Sequence, residues 1–437
     1  MATIYALTDL NNFYVSCERV FQPKFNNKIV CVMSNNDGCV VARSNEAKLA
    51  GIKMGMPNFE LEKLMKENRL EVIRFSSNYA LYAEMSRRFH NIIKYYVDPA
   101  LCEEYSIDEN FVNLTSYAET YNLVEFMTNV KNTIYQWLGL PCCVGLGRSK
   151  TEAKLGNYIA KTNPVFKGIC SMIDLERQGV KNAFLHTINV SEVWGVGRQY
   201  AKRLNALGIY SAYDLMKAEP EKIKKLFGVV LQRTVLELNG IACYDVESEP
   251  QPRQQIVSSK SFGERVTDKN DLKEAITRFT LDAQRRLRRD NLVCGYLAAF
   301  ASSSQFDKTK PYFSKNASVP FSEPTDNPIL LIKAATRAIE HIYAEFVEFK
   351  RAGVVLGGLE PKSGHRMDLF ADTAANEKSE NLVKTLDEIQ ERYGKKILGF
   401  GGCLFNDRPW SMRQANKSPN YFNINECLLI NDFQTKK

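Results

Sequence analysis

No two cysteines of this chain stand at CxxC spacing, although there are eleven. They are scattered singly apart from Cys142-Cys143. An odd count without a framework points to reduced thiols in a cytoplasmic compartment and excludes a disulfide scaffold. Histidine is scarce, and four residues far apart give no zinc signature. No apolar run reaches membrane-spanning length, and the N-terminus lacks the basic flank and long apolar stretch of a leader. Neither secretion nor membrane insertion is expected. A strong excess of one charge is missing too: Lys and Arg exceed Asp and Glu by 58 to 50, a net of +8. An acidic partner must therefore be met by local basic clusters. What remains is ordinary for a globular protein, with 44% hydrophobic and 25% charged residues. The 437 residues suffice for several domains with buried cores.

Against this background two acidic strand ends stand out. Asp108 and Glu109 interrupt the run from Tyr105 to Leu114, which otherwise suits a strand or hairpin. Neighbouring side chains of a regular strand point to opposite faces, so both acids serve one site only at a strand end or a bulge. A buried carboxylate pair is costly unless cations compensate it. Hard divalent ions are the usual compensation, and Mg²⁺ needs only one or two carboxylates plus substrate phosphates. The bland alternative is a polar strand end with two solvated acids. The second acidic end lies near the N-terminus, where Ile4 to Thr8 reads as a buried strand ending at Asp9, followed by Leu10-Asn11-Asn12-Phe13-Tyr14.

The rest of the chain reads as alternating strands and helices. Ile29 to Met33 and Cys39 to Ala42 form a hairpin around Asn35-Asn36-Asp37-Gly38, which supply positive-φ positions. A short helix spans Ser44 to Ala50 and closes at Gly51; Lys48 in it is by itself a solvated lysine. Ser76 to Tyr79 leads into a helix with Leu81, Met85 and Phe89 in its core stripe. A helix near Asn122 to Leu138 and a strand at Cys142 to Leu146 complete an α+β sheet with helices on one face. Ser149 and Glu152 have capping-box spacing for a helix to about Lys161, where a cation is favoured anyway. Gly145-Leu146-Gly147 is only a weak phosphate-cradle signal. Val193 to Arg198 has the form of a helix-hairpin-helix, in which Gly195 and Gly197 expose backbone N–H groups to a DNA phosphate or simply turn a corner. Basic residues Arg198, Lys202 and Arg203 follow, then Lys222, Lys224 and Lys225. A linker spans about Ala242 to Gln255. Beyond it the order is strand, helix, strand, strand, helix, strand, with stripes at Leu272, Ile276, Phe279, Ala283, Leu287 and at Ile329, Ile332, Ile339, Ile342, Phe346. The cluster Arg285-Arg286-Arg288-Arg289 would sit in solvent behind that sheet, whereas Lys260 and Arg265 lie on its opening strand. The tail begins loosely and then carries a helix near Glu377 to Tyr393.

An apolar strand ending in Asp9, the aromatic pair Phe13-Tyr14 and a later Ser106-Ile107-Asp108-Glu109 resemble the Y-family (translesion) DNA polymerases. Val41 to Lys48 resembles their fingers motif, Ala153-Lys154-Leu155 with Ala160-Lys161 their palm helix, and Trp410 to Arg413 with Ser418-Pro419 the C-terminal region of the UmuC-type branch. The resemblance covers almost the whole chain. It implies a right-hand polymerase, α+β and multidomain: palm at 1–12 and 80–168, fingers at 13–79, thumb at 169–241, linker at 242–252, little finger at 253–359, and tail from 360. It further implies two Mg²⁺ ions held by Asp9, Asp108, Glu109 and the Leu10 carbonyl. Lys48 and Lys161 would hold the triphosphate and Tyr14 would lie beneath the sugar. Asn45 stands where many relatives carry an aromatic residue. Expected contacts are primer-template DNA and deoxynucleotides, with Gly195, Gly197, Lys260 and Arg265 on the DNA. A processed UmuD dimer and a RecA filament are implied partners of this branch in SOS mutagenesis. Arg366-Met367-Asp368-Leu369-Phe370 resembles the sliding-clamp peptide, with Met367, Leu369 and Phe370 as anchors and Arg366 in place of the usual Gln. Paired carboxylates also occur in nucleases and nucleotide cyclases, which lack the thumb and split domain. A catalytically weak regulatory protein on the same scaffold is the other alternative.

Overall fold

The computed structural model describes residues 3–249, 252–307 and 309–364, with 385, 388, 389, 392, 408, 412 and 414–422 of the tail. The chain divides into two compact units, one of residues 1–33, 39–250 and 416–437 and one of 34–38 and 251–415.

In chain order the first unit opens with β1 (Tyr5–Leu10) and α1 (Phe13–Phe21), joined by Asn12 at a φ of 48°. Next come β2 (Val30–Met33), β3 (Val40–Arg43), α2 (Asn45–Leu49), α3 (Asn58–Asn68) and β4 (Ile73–Ser76). β2 pairs antiparallel with β3 and parallel with β4. The turn between β2 and β3 takes its positive φ from Asn36 and Asp37, whereas Gly38 has a right-handed φ of −78°. Short polar side chains tolerate the left-handed region, so this turn does not draw on glycine there. Ser44 caps α2 by accepting from the Ala47 N–H, as its spacing predicts.

α4 (Tyr79–Tyr96) starts from the Asn78 cap and buries Leu81, Met85 and Phe89. β5 (Cys102–Glu103), β6 (Glu109–Asn113), α5 (Leu123–Leu138), β7 (Cys142–Gly147), α6 (Lys150–Thr162) and β8 (Ile169–Ser171) follow. The sheet runs β5-β6-β1-β7-β8. Helices cover both of its faces, not one as expected. Ala6, Leu10, Val112 and Val144 share a core with Phe89 of α4 and Ile134 of α5. Tyr5, Leu7 and Phe111 on the opposite face meet Ala153 of α6. The central strands are accordingly apolar without alternation, as in sheets buried on both sides. Gly145 and Gly147 belong to this packing: an added Cβ would lie 2.1 Å from the Ala153 carbonyl and 2.4 Å from Glu152 Cβ. They let α6 approach β7, which accounts for them without a phosphate. Ser149 caps α6 through the Glu152 N–H, but the Glu152 carboxylate reaches back to the N–H of Arg148, one residue short of a capping box.

Helices α7 (Met172–Arg177), α8 (Lys181–Thr187), α9 (Arg198–Asn205), α10 (Ala212–Lys217), α11 (Pro220–Phe227) and α12 (Val229–Leu238) pack around Leu185, Leu204, Leu215 and Val235. The stretch after α12 has no regular structure, yet it is pinned. Glu237 Oε1 accepts the Cys243 N–H at 3.1 Å, and Glu103 Oε2 accepts that of Glu247 at 2.9 Å.

The second unit has the expected order: β9 (Gln255–Val266), α13 (Lys269–Arg289), β10 (Leu292–Ser302), β11 (Ser314–Thr325), α14 (Pro328–Ile342) and β12 (Phe349–Pro361). Its antiparallel sheet is ordered β11-β10-β12-β9. The stripe from Leu272 to Leu287 is buried throughout. The second stripe differs from expectation. α14 ends at Ile342 and buries Leu331, Ala335, Ala338, Ile339 and Ile342, while Phe346 is 96% exposed. Alanines, which carry little periodic signal, make up three of the seven buried positions of that face. Of the expected helix at 377–393 only Thr385, Glu388, Ile389 and Arg392 are described, and each is helical.

Candidate active site

Asp9 of β1 stands directly opposite Glu109 of β6 in the antiparallel register, so both side chains project from one face. Asp108 lies one residue before β6, in the turn, and escapes strand alternation. Its carbonyl accepts the Leu10 N–H at 2.9 Å and its carboxylate accepts Ser106 Oγ at 2.6 Å. The strand-end condition posed by two adjacent acids is thereby met, with Leu10 at the same end of β1.

Asp9 and Glu109 face α6. Lys154 and Lys161, seven residues apart, lie two turns along one side of that helix. Lys161 Nζ is 2.6 Å from Asp9 Oδ2, and Lys154 Nζ is 3.0 and 3.2 Å from the two oxygens of Glu109. Lys154 also sits over the rings of Tyr105 and Trp194, at 4.5 and 5.4 Å. Burial pushes the Asp9 carboxyl up to about 6; Lys161 opposes this, and the charges of Glu109 and Asp108 add to it. This is an anion cluster short of compensation. Among the described residues no three His, Cys, Asp or Glu side chains form a ready-made metal cage. The oxygen donors nevertheless suit hard divalent cations, and two ammonium groups already lie against the carboxylates, where positive charge is favourable. The residues therefore fit a divalent metal.

The residues expected to hold the nucleotide stand on α1 and α2 and, for Lys161, on α6. Asn45 Oδ1 accepts from Lys48 Nζ at 3.2 Å and from Asn12 Nδ2 at 3.1 Å, so the residue in the aromatic position orients the lysine by hydrogen bonding. Burial, then Arg43 and Lys161, hold the Lys48 ammonium below its ordinary range, while Asp9 pulls it up. Lys48, Lys161, Arg43 and Asp9 thus share one electrostatic neighbourhood. Of the aromatic pair, Phe13 is buried core and Tyr14 is half-buried. The Tyr14 ring stacks on Tyr82 with centroids 4.2 Å apart at 13°. Burial raises its hydroxyl pKa, and Tyr79 and Asp108 add to the rise.

Lys154 and Arg43 lie inside the motifs that carry the resemblance, but the sequence gives neither a role of its own. Lys154 could have been found by counting two turns back from Lys161 along the helix capped at Ser149. Arg43, whose Nη1 donates to the Ile52 carbonyl at 2.6 Å, stands five residues before Lys48 in the motif at 41–48.

The residues expected to meet DNA stand on separate elements. Gly195 has a φ of 87°, which disfavours any side chain, and Gly197 precedes the first turn of α9. Arg198 and Lys202 are exposed on α9, whereas Arg203 donates to the Leu226 carbonyl at 2.6 Å and lies over Phe227. In the second unit Lys260 is in register with the buried Ala352, on the helix-covered side of the sheet. Arg265 is held by Asp307 and Glu348, at 2.7 and 2.6 Å. The open side carries Arg351 instead, which donates to Ser259 Oγ at 3.1 Å and lies 5.7 Å from the Phe300 ring. Arg285, Arg288 and Arg289 pair with Asp282, Asp326 and Asp290. Met367, Leu369 and Phe370 lie outside the described residues.

With this geometry in hand, comparisons with known proteins are decisive. The impB/mucB/samB family matches residues 8–157, the C-terminal domain of that family matches 253–369, and a domain of unknown function matches 380–423. The chain is 39% identical to the protein ImpB of Salmonella typhimurium, over 91% of this chain and 93% of that one. It is 38% identical to the protein UmuC of Salmonella typhimurium strain LT2, over 96% and 97%. Its fold matches a chimeric Y-family DNA polymerase, Dbh-Dpo4(243-245)-Dbh, with a TM-score of 0.63 at 21% identity, covering 82% of this chain and 99% of that one. The chain belongs to the impB/mucB/samB family, as a UmuC-like Y-family translesion DNA polymerase.

Proposed function

We infer that Asp9, Asp108 and Glu109 form the centre at which this polymerase extends a primer. The observation that carries the reading is the register of Asp9 with Glu109 and the two lysines of α6 against them. Polymerases of this family are metal-dependent. The three carboxylates, with the Leu10 carbonyl, would hold divalent cations, expected as two Mg²⁺. When bound, these supply Lewis acidity to the primer 3′-hydroxyl and charge to the leaving pyrophosphate. The 3′-oxygen forms a bond to the α-phosphorus as the bond to the β-phosphate oxygen breaks. Lys48 and Lys161 neutralise the triphosphate, and Asn45 and Asn12 orient Lys48. Tyr14, backed by Tyr82, packs beneath the sugar and leaves no room for a 2′-hydroxyl.

Gly195 and Gly197 would present backbone N–H groups to a template-primer phosphate. In the second unit Arg351 on the open face would be the contact, since Lys260 lies on the helix-covered side and Arg265 is held by Asp307 and Glu348. Met367, Leu369 and Phe370 would anchor the chain on a sliding clamp. Replacing Leu369 and Phe370 with Ala should remove clamp-stimulated synthesis and spare clamp-independent extension. A processed UmuD dimer and a RecA filament are proposed partners in SOS mutagenesis, and the cytoplasm the proposed compartment. Primer extension on intact and abasic templates with Mg²⁺ tests the central reading. Template-directed addition that is lost in Asp108→Asn supports it; DNA binding without addition in the native chain would favour a regulatory protein on this scaffold.

A further inference from the structure

Residues 416–422, within the segment matched as a domain of unknown function, return to the two helices that carry Tyr14 and its stacking partner. Asn416 and Ser76 exchange hydrogen bonds, Asn416 N to Ser76 Oγ and Ser76 N to the Asn416 carbonyl, each 3.0 Å. Lys417 thereby bridges in parallel to the end of β4. Asn78, the cap of α4, donates to Ser418 Oγ at 3.0 Å across 340 positions of sequence. Ser418 Oγ in turn donates at 3.0 Å to Glu18 Oε1 on α1, and the same oxygen accepts the Tyr82 hydroxyl at 2.8 Å. Three residues on, the chain is held again. Tyr421 stacks on Phe21 with centroids 4.4 Å apart at 3°, and its hydroxyl accepts from Gln22 Nε2 at 2.8 Å.

This strap therefore ties α1, through Glu18 and Phe21, to the first turn of α4, through Asn78 and Tyr82. The Tyr14–Tyr82 stack spans the same two helices. Glu18 is fully buried, and its Oε2 has no hydrogen-bond partner among the described residues. Its carboxylate thus depends on the Ser418 and Tyr82 hydroxyls, because an under-bonded buried charge is costly. Loss of the Ser418 hydroxyl would drive Glu18 to seek another donor. The Tyr82 hydroxyl, and with it the ring beneath Tyr14, would follow.

We propose that Ser418 is a positioning residue for Tyr14: the strap 416–422 holds Glu18 and Tyr82 in one hydrogen-bonded arrangement and so fixes the ring that selects deoxyribose. The selective role rests on the reading of Tyr14 given above; the positioning does not. The test uses the full chain with Ser418→Ala, Ser418→Thr and Tyr14→Ala, and single-turnover extension with deoxy- and ribonucleotides. Ser418→Ala should lower the deoxyribose preference about five- to tenfold, the scale of one net hydrogen bond, with deoxynucleotide addition within about twofold of native. Ser418→Thr, which keeps the hydroxyl, should restore the preference. A fluorinated tyrosine placed at position 14 gives a second readout, its ¹⁹F resonance shifting or broadening in Ser418→Ala and returning in Ser418→Thr. An unchanged resonance and preference in Ser418→Ala overturn the proposal, as does a loss that threonine fails to rescue. If the resonance moves while Tyr14→Ala leaves sugar preference intact, the positioning stands and the sugar-selecting reading of Tyr14 falls.

Discussion

The α6 face of the five-stranded sheet and the open face of the four-stranded sheet use charge in opposite ways. On the first, Asp9 and Glu109 are 15% and 19% exposed and each is met by one lysine of a single helix. On the second, Arg351 is exposed beside a serine and an aromatic ring. Partly desolvated charges interact strongly and demand a defined partner, so they build a site for chemistry. Exposed charges are screened by salt and act with little geometric demand, which suits binding a backbone of any sequence.

The sharpest way to break this contrast is to neutralise one acid of the first face. Asp9→Asn, Asp108→Asn or Glu109→Gln should each slow nucleotide addition about a thousandfold or more, by loss of a metal ligand, and leave DNA binding near native. Near-native extension by the Asp108 variant in a primer-extension assay would remove the acids from catalysis. Tyr14→Ala should come next. Its deoxyribose preference should fall about a hundredfold, the scale of steric discrimination in a fitted pocket, with the chain still folded. Circular dichroism alongside competitive incorporation separates this from a core tyrosine, whose truncation would unfold the unit.

On the open face the effects should be smaller and salt-dependent. Reversing Arg351 to Glu should lower the slope of log K against log salt by about one, as expected for a single phosphate contact. Reversing Lys260 should change it less, because Lys260 lies on the helix-covered side. Fluorescence anisotropy across a salt series measures both, and the opposite ranking would invert the assignment of faces.

The smallest effect isolates burial from metal chemistry. Burial raises the Glu18 carboxyl above its ordinary value of 4.5, with the hydrogen bonds of Tyr82 and Ser418 opposing it. Cys17 and Tyr421 are the other titratable groups that feel its charge. A folded-state pKa that is raised means the native state holds its proton more tightly than the unfolded chain. The associated stability is present below the ordinary value and is lost as pH rises through the folded one. Glu18→Gln should therefore gain thermal stability relative to the native chain as pH rises above about 4.5. A melting-temperature difference that is flat with pH would show that the carboxyl titrates as it does unfolded.

Much of this was legible locally. Ser44, Asn122 and Ser149 marked helix starts because a cap is a contact within three residues, and each accepts the expected N–H. The buried stripe from Leu272 to Leu287 followed from helical periodicity alone. The acids at two strand ends were visible because carboxylates interrupt apolar strands. Tertiary structure decided the rest. Only the register of β1 with β6 sets Asp9 beside Glu109, and only the crossing of α6 brings Lys154 and Lys161 onto them. Alternation along β9 cannot say which side of Lys260 the helices cover; pairing with the buried Ala352 does. The return of Ser418 to Glu18, 400 residues away, has no periodic trace at all. Caps, turns and stripes are written in neighbours along the chain. Registers, helix crossings and long returns are set by which surfaces bury together, and single residues carry almost none of that information.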